Sequence, residues 1–221
     1  MGAPAVLFAA MVPASTAPRQ RILIAARELF FSRGFQKVST DDLVKAAAIS
    51  KATLYRHFGG MDDLLRAVVD AEVDGFERGI PREVTTPSDF AAALEAFGSN
   101  LLQFLNQPEI IRFSQLMFEE ARSSPDLASS FYSSAYGRTQ EDLAELIQQA
   151  LDQGWLPSSQ PASELAELLL GMWEGFGFVR ALLGLTDQPF PDPEAQSQRS
   201  VAVFLQGQQR EAGAASRLGV R

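Results

Sequence analysis

The sequence predicts an all-α protein, and three observations support this prediction. Apolar residues recur at helical spacing along most of the chain, with little of the alternation that is typical of strands. Gly and Pro residues fall between these segments, where they end one helix and precede the next. The 221 residues, of which 46% are hydrophobic and 21% charged, are enough to bury a core in one or two domains.

The first three predicted helices are short and have clear boundary signals. Gly34 follows the first helix and is a typical C-terminal stop. Ser39 or Thr40 caps the second helix, and Ser50 caps the third. Residues 1–18 contain no charged side chain, and we expect them to form a disordered N-terminal arm or an upstream start-site extension.

The later helices are separated by proline and glycine. Gly79 and Pro81 end the fourth helix, Pro125 occupies a first helical position, and Pro193 begins the last helix. We expect the tail, residues 208–221, to be loose. In chain order, the predicted helices span residues 19–33, 41–47, 51–57, 61–78, 88–106, 109–122, 125–153, 162–183 and 193–207.

Charge is divided unequally along the chain. Residues 19–60 have eight basic and three acidic side chains, a local charge of +5, whereas the rest of the chain holds −13. This asymmetry predicts a basic head that binds a polyanion and an acidic body that does not. The chain has no cysteine and one histidine, His57, so disulfides, thiolate sites and histidine-rich metal sites are excluded.

The second and third helices have the proportions of a helix-turn-helix, because only Ala48 and Ile49 separate the second helix from the cap of the third. We expect Leu43, Val44 and Ala47 to pack against Leu54 and Phe58. This packing would point the polar side chains of the third helix into the major groove of DNA. The candidate DNA-binding residues are Thr40, Lys45, Ser50, Lys51, Ala52, Thr53, Tyr55, Arg56 and His57.

Three runs of this region, residues 21–35, 38–47 and 50–58, resemble the head of the TetR family of bacterial transcriptional regulators. The run T-L-Y-R-H-F at residues 53–58 is the most specific part of the resemblance. It implies a three-helix DNA-binding head on a larger helical body that binds ligand and dimerises. Two positions depart from the family pattern: Ala48 replaces the usual turn glycine, and Met61 replaces a frequent lysine.

The body contains 15 of the 21 aromatic residues, many at helical spacing. Residues 112–132, with Gly154-Trp155-Leu156 further on, resemble the C-terminal region of the AefR-like branch of the family. A cavity for an apolar ligand uses aromatic residues with a few polar groups. The candidate pocket residues are Phe104, Phe113, Gln115, Phe118, Glu119, Arg122, Tyr132, Tyr136, Trp173 and Phe176.

The segment 162–183 is apolar on most sides, so it is expected to be buried on more than one face. Together with the last helix it suits a four-helix interface between two copies, which would let a dimer bind two DNA half-sites. The candidate interface residues are Leu165, Leu169, Met172, Phe176, Val179, Val201, Phe204 and Leu205.

These predictions describe an arm at 1–18, a DNA-binding domain at 19–64, a regulatory and dimerisation domain at 65–207 and a tail at 208–221. We expect a cytoplasmic homodimer that binds an operator, without metal or cofactor, and that a small, largely apolar molecule releases from DNA. Two alternatives stay open. One is a helical ligand-binding protein that has lost operator binding, and the other is a small all-α enzyme, for which the sequence offers no catalytic pattern.

Overall fold

The computed structural model describes residues 17–74, 84–122 and 125–218, and every regular element in these ranges is helical. A 3-10 turn lies at Phe35–Lys37 and a π-helix at Tyr132–Gly137. The α-helices are α1 Pro18–Arg33, α2 Thr40–Ala46, α3 Lys51–His57, α4 Met61–Asp74, α5 Pro87–Leu105, α6 Pro108–Glu120, α7 Pro125–Phe131, α8 Arg138–Asp152, α9 Ala162–Glu174, α10 Gly177–Leu182 and α11 Pro193–Leu218. Most of the predicted arm, and the predicted end of the fourth helix at residues 75–78, lie outside the described residues.

Two long predicted helices are each divided in the structure. The predicted helix at 125–153 consists of α7, the π-helix and α8, because apolar periodicity alone does not register the wider turn of a π-helix. The predicted helix at 162–183 is interrupted at Gly175, whose φ of +47° lies in the region that favours glycine.

The last helix is longer than predicted. It continues to Leu218, past the predicted end near Gly207, so the residues expected to form a loose tail are helical as far as that residue. The alanine, glutamine, glutamate and arginine residues beyond 207 are good helix formers, and a single interior glycine costs only about 1 kcal/mol.

The chain divides into two compact units. The first unit contains the chain up to Val73 and the segment Gln115–Phe131. Residues 65–73 and 115–131, predicted to belong to the body, therefore pack with the head residues. The helices α1, α2 and α3 pack against one another around a buried core. This core includes Ile22, Ala26, Phe30, Leu43, Leu54, Phe58, Leu64, Leu65 and Val68.

Polar contacts also hold the first unit together. Arg27 of α1 forms two hydrogen bonds to the carboxylate of Glu72 in α4 and lies over the ring of Phe31. The side chain of Gln36 donates to a carboxylate oxygen of Glu120 at 2.6 Å. These contacts fix α4 and the end of α6 to α1 and the 3-10 turn that follows it.

The second unit contains Asp74–Ser114 and the chain from Tyr132 onward. Its two most extensive helix pairs are α5 with α11 and α8 with α9. Asn106 joins the end of α5 to a loop, because its side-chain amide both donates to and accepts from the backbone of Phe190, at 2.7 and 3.0 Å. Trp173 is fully buried and stacks on Phe97, with ring centroids 5.8 Å apart.

Candidate nucleic-acid interface

The second helix of the head begins with a capping box. The hydroxyl of Ser39 accepts from the backbone N–H of Asp42, and the carboxylate of Asp42 accepts from the backbone N–H of Ser39 at 2.9 Å. Two backbone N–H groups at the start of α2, those of Ser39 and Asp42, thereby gain hydrogen-bond acceptors. Ser39, rather than Thr40, is therefore the cap, which leaves Thr40 as the first residue of the helix.

The turn between α2 and α3 is a Schellman motif with alanine in the left-handed position. The N–H of Ile49 donates to the carbonyl of Val44 at 3.0 Å, and the N–H of Ala48 donates to that of Lys45 at 3.4 Å. Ala48 has a φ of +51° and is the non-glycine residue with positive φ in the described part of the chain. The residue that replaces the family's usual glycine thus adopts the glycine conformation, at a steric cost.

The inner face of α3 packs into the core of the head. Leu54 and Phe58 are buried, as are Leu43 and Ala47 of the facing helix, in agreement with the packing predicted from the sequence; Val44 is half-buried. The hydroxyl of Ser50 accepts from the backbone N–H of Thr53 and lies 3.0 Å from the Thr53 hydroxyl. The cap therefore determines where the helix begins, and the buried pair determines which face points outward.

The predicted DNA-binding residues lie on the outer face of this motif or at its edge. Tyr55 is 53% exposed although it is a large aromatic residue. Thr40, Thr53 and His57 are half-buried. The exposed members of the set are Lys45, Ser50, Lys51, Ala52, Tyr55 and Arg56.

His57 presents its ring differently from the other members of this set. Its Nε2 atom is buried and has no hydrogen-bond partner among the described residues. A phosphate contact through Nε2 would require the ring to move. Arg19 packs against the residue that follows, because its guanidinium lies 5.3 Å from the centre of the Phe58 ring.

Two aspartates of α2 modify the positive charge of the interface. Lys51 Nζ lies 2.8 Å from an Asp41 carboxylate oxygen, and Arg33 lies 3.7 Å from Asp42. Hydrogen bonding to Ser39 lowers the pKa of Asp42, and hydrogen bonding to Asp41 raises the pKa of Lys51. No signal in the sequence indicated that Asp41 belongs to this interface, because its pairing with Lys51 depends on how α2 and α3 are packed.

The predicted pocket residues are divided between the two units. Gln115, Phe118, Glu119 and Arg122 belong to the first unit, and the others belong to the second. Phe113 and Trp173 are core residues; Phe104, Gln115 and Tyr136 are half-buried; Phe118, Glu119, Arg122, Tyr132 and Phe176 are exposed. Trp173 is removed from the candidate pocket because its ring is fully covered by the protomer's own core.

The π-helix brings two tyrosines of the second unit together. The rings of Tyr132 and Tyr136 stack with centroids 5.8 Å apart and planes inclined by 16°. Burial raises the pKa of Tyr136, and the charge of Glu174 at the end of α9 raises it further. Burial also raises the pKa of Glu174 itself, to about 7.

Half of the predicted interface residues lie inside one protomer. Leu165, Leu169, Val201 and Phe204 are buried in the core of the second unit, so they cannot contact a second copy. Met172 and Leu205 are half-buried against that core. The apolar residues that are exposed on α9, α10, the loop after it and α11 are Leu168, Phe176, Val179, Leu183, Leu185 and Val203.

The sequence could not separate these faces, since a helix that is apolar all round gives no indication of which side the core covers. Phe176 and Val179 were predicted and are exposed, whereas Leu183 and Leu185 were not predicted. Within the described ranges, no group of three acidic or histidine side chains is placed to hold a metal ion. No helix there is long and apolar enough to cross a membrane.

Comparison with known proteins places this chain in a family. Residues 22–68 match the family model described as "Bacterial regulatory proteins, tetR family", and residues 92–207 match "AefR-like transcriptional repressor, C-terminal domain". The chain is 36% identical over 83 residues to the HTH-type transcriptional activator FasR of Mycolicibacterium smegmatis, covering 36% of this chain and 38% of FasR. It is 24% identical over 139 residues to the HTH-type transcriptional regulator SrpR of Pseudomonas putida, covering 63% of each protein.

Solved structures agree with the family models. A TetR transcriptional regulator from Agrobacterium tumefaciens has a TM-score of 0.73 and 26% identity, with 86% of this chain and 94% of that one covered. The Flavonoid-responsive Regulator FrrA has a TM-score of 0.72 and 26% identity, with 88% and 96% covered. The helix-turn-helix of the first unit, the all-helical second unit and these matches together show that the chain belongs to the TetR family of bacterial transcriptional regulators.

Proposed function

We propose that this protein is a homodimeric transcriptional repressor that binds operator DNA through α3 and leaves it when a small, largely apolar molecule binds the body. The observation that supports DNA binding most directly is the outer face of α3. It presents Lys51, Tyr55 and Arg56 to solvent, while Leu54 and Phe58 hold the opposite face in the core. Operator binding would place the protein in the cytoplasm.

Two kinds of contact to the operator are expected, one to phosphates and one to base edges. The start of α2 at Thr40, with Tyr55 and His57, would contact phosphates and set the position of the protein on the duplex. Side chains at the start of α3 would contact base edges in the major groove and set the sequence. The phosphate contacts make the affinity fall linearly in log salt.

The exposed apolar surface of the body is the proposed dimer contact. Leu168, Phe176, Val179, Leu183, Leu185 and Val203 are exposed there. Leu168 also lines a shallow, open groove on α9, together with Gly171, Met172 and two glutamates, Glu164 and Glu167. A two-fold dimer would bind half-sites roughly 34–36 Å apart. Exposed apolar surface of this kind commonly marks a protein–protein contact.

The proposed effector site lies in the body and includes Tyr132, Tyr136 and Phe104. Stacked tyrosines offer a flat apolar surface with hydroxyl groups at its edge, which suits an aromatic ligand. The name of the structural neighbour FrrA describes it as flavonoid-responsive, which supports testing flavonoids first. A ligand that favours the non-binding state by about 1–3 kcal/mol would lower operator affinity about 5- to 150-fold.

Fluorescence anisotropy with the DNA upstream of the gene tests operator binding. The full-length protein should bind saturably in the presence of competitor DNA, and its affinity should fall with salt. Tyr55→Ala should weaken this binding at least about ten-fold, through lost phosphate contact. Gln103→Ala is the control, because it shortens an exposed side chain of the body that belongs neither to the proposed effector site nor to the proposed dimer contact. Absence of binding at low salt would contradict the proposal and favour a ligand-binding protein without operator affinity. Equal binding by wild type and Tyr55→Ala would instead show that the DNA-contacting surface is not the outer face of α3.

Dimerisation is tested separately by analytical ultracentrifugation. Phe176→Glu should shift the protein towards monomer, because a charge would be buried in the contact. Gln103→Glu, on the exposed side of α5, is the control for an added charge and should remain dimeric. A dimer that is unaffected by Phe176→Glu would place the contact elsewhere.

A further inference from the structure

Lys51 and Asp41 form an ion pair at the outer face of the helix-turn-helix. Lys51 is the first residue of α3 and Asp41 is the second residue of α2, and Nζ lies 2.8 Å from Oδ1. Their side chains are 55% and 74% exposed, so the pair is not part of the core. Because the hydrogen bond to Asp41 raises the pKa of Lys51, the lysine is charged at neutral pH. An ammonium and a carboxylate are therefore presented side by side to any DNA that α3 approaches.

Asp41 has no structural role comparable with that of its neighbour. Asp42 closes the capping box with Ser39 and lies near Arg33, so its carboxylate is occupied in holding α2. Among the described residues, the contact that Asp41 makes is the one with Lys51. It can therefore be exchanged for a contact with DNA without disturbing the helix.

A carboxylate at this position lowers affinity for DNA unless it has a partner there. The Asp41–Lys51 pair is neutral as a unit, so one basic group of the head is not free to neutralise a phosphate. A base edge that supplies an amino group removes this disadvantage, and cytosine N4 and adenine N6 each supply one in the major groove. In the major groove, guanine offers O6 and N7 as acceptors, and its paired cytosine offers the N4 amino group as a donor.

We propose that Asp41 and Lys51 together recognise one G·C base pair in each half-site, with Lys51 donating to guanine O6 and Asp41 accepting from cytosine N4. Replacement by A·T puts the adenine amino group in the place of O6, where it faces an ammonium. It also puts thymine O4 in the place of the cytosine amino group, where it faces a carboxylate. Both of these contacts are then unfavourable, so the pair selects against A·T in this orientation. The reversed pair, T·A, offers thymine O4 to the ammonium and the adenine amino group to the carboxylate, and it remains compatible.

This inference rests on the proposed operator binding and is tested with the full-length protein. Wild-type protein and Asp41→Ala are each used to select binding sites from a pool of random-sequence duplexes. The affinities of both proteins are then measured on the wild-type site and on versions with each G·C pair changed to A·T. Glu28→Ala, on the exposed side of α1, is the control for loss of one acidic group from the head. Circular dichroism checks that each variant is folded.

One G·C position per half-site should show coupling to Asp41. Its change to A·T should weaken wild-type binding about 5- to 150-fold, and this loss should be at least five-fold smaller for Asp41→Ala. On random DNA, Asp41→Ala should bind about five-fold more tightly at 0.15 M salt with a steeper salt dependence, because Lys51 becomes available to a phosphate. Glu28→Ala should match wild type within two-fold in both measurements.

The two possible failures can be told apart. If neither protein selects a sequence from the pool, operator binding fails and this inference fails with it. If both select the same sites and no G·C position shows coupling to Asp41, base recognition by the pair is refuted while operator binding stands.

Discussion

Replacing Ala48 by glycine should stabilise the protein. The φ of +51° puts the backbone of Ala48 in the left-handed region. This conformation costs an L-residue about 1–2 kcal/mol, because Cβ comes too close to the following carbonyl oxygen. Glycine does not have this cost. However, glycine also gives the unfolded chain more conformational entropy, which lowers the free energy of unfolding by about 0.4–1 kcal/mol. The expected net gain is about 0.5–1 kcal/mol. For a chain of this length, 1 kcal/mol raises Tm by about 2–4 °C.

Urea and thermal unfolding of the full-length protein measure this gain. The matched control is Ala46→Gly, at the last residue of α2, two residues before Ala48 and also exposed. Glycine in a helix of ordinary geometry should destabilise by up to about 1 kcal/mol. The two substitutions have the same chemistry and opposite expected signs, so the difference between them isolates the backbone conformation.

A destabilising Ala48→Gly, similar in size to Ala46→Gly, would refute the left-handed turn. The turn keeps its two hydrogen bonds in either variant, since both use backbone groups. Operator affinity should change little for Ala48→Gly, because the substitution adds no contact and removes only a methyl group. A large loss of affinity would show that the rigidity of alanine at this turn contributes to placing α3.

Three further substitutions test the body by unfolding measurements. Asn106→Ala should cost about 2–3 kcal/mol, because two hydrogen bonds to the backbone of Phe190 are lost; a cost below 0.5 would contradict that role. Gly98→Ala should cost about 1–3 kcal/mol and alter tryptophan fluorescence, because its methyl group would overlap Trp173; unchanged stability would contradict this packing. Burial raises the pKa of Glu174 from 4.5 to about 7, so the folded state binds more protons than the unfolded state between these values. Stability should therefore fall by up to about 3 kcal/mol as pH rises through this window, and Glu174→Gln should remove this component of the pH profile; an identical profile would refute the assignment.

The head could be predicted closely from the sequence because its signals are local. The bounds of α3 agree with the prediction at both ends, since Ser50 marks the start and the glycine pair after Phe58 marks the end. The turn was harder, because alanine is normally evidence against a left-handed residue. Only the packing of α2 and α3 shows that Ala48 accepts this conformation.

The body was predicted less well because its signals are shared by several structures. Helical periodicity continues through the π-helix at Tyr132–Gly137 and up to the break at Gly175, so neither interruption was expected. Leu165 and Leu168 are the same residue type three positions apart, yet one is in the core and the other is in solvent. That difference depends on which neighbouring helix covers each face, which no local pattern records.

By itself, the sequence determined the all-helical class, the position of the helix-turn-helix and the division into a basic head and an acidic body. Each of these follows from spacing, capping and charge within a few tens of residues. Tertiary structure alone decided which apolar faces stay exposed, how burial raises the pKa of Glu174 and that Asp41 meets Lys51. These properties arise because residues distant along the chain share one environment, and burial and ion pairing depend on distance in space.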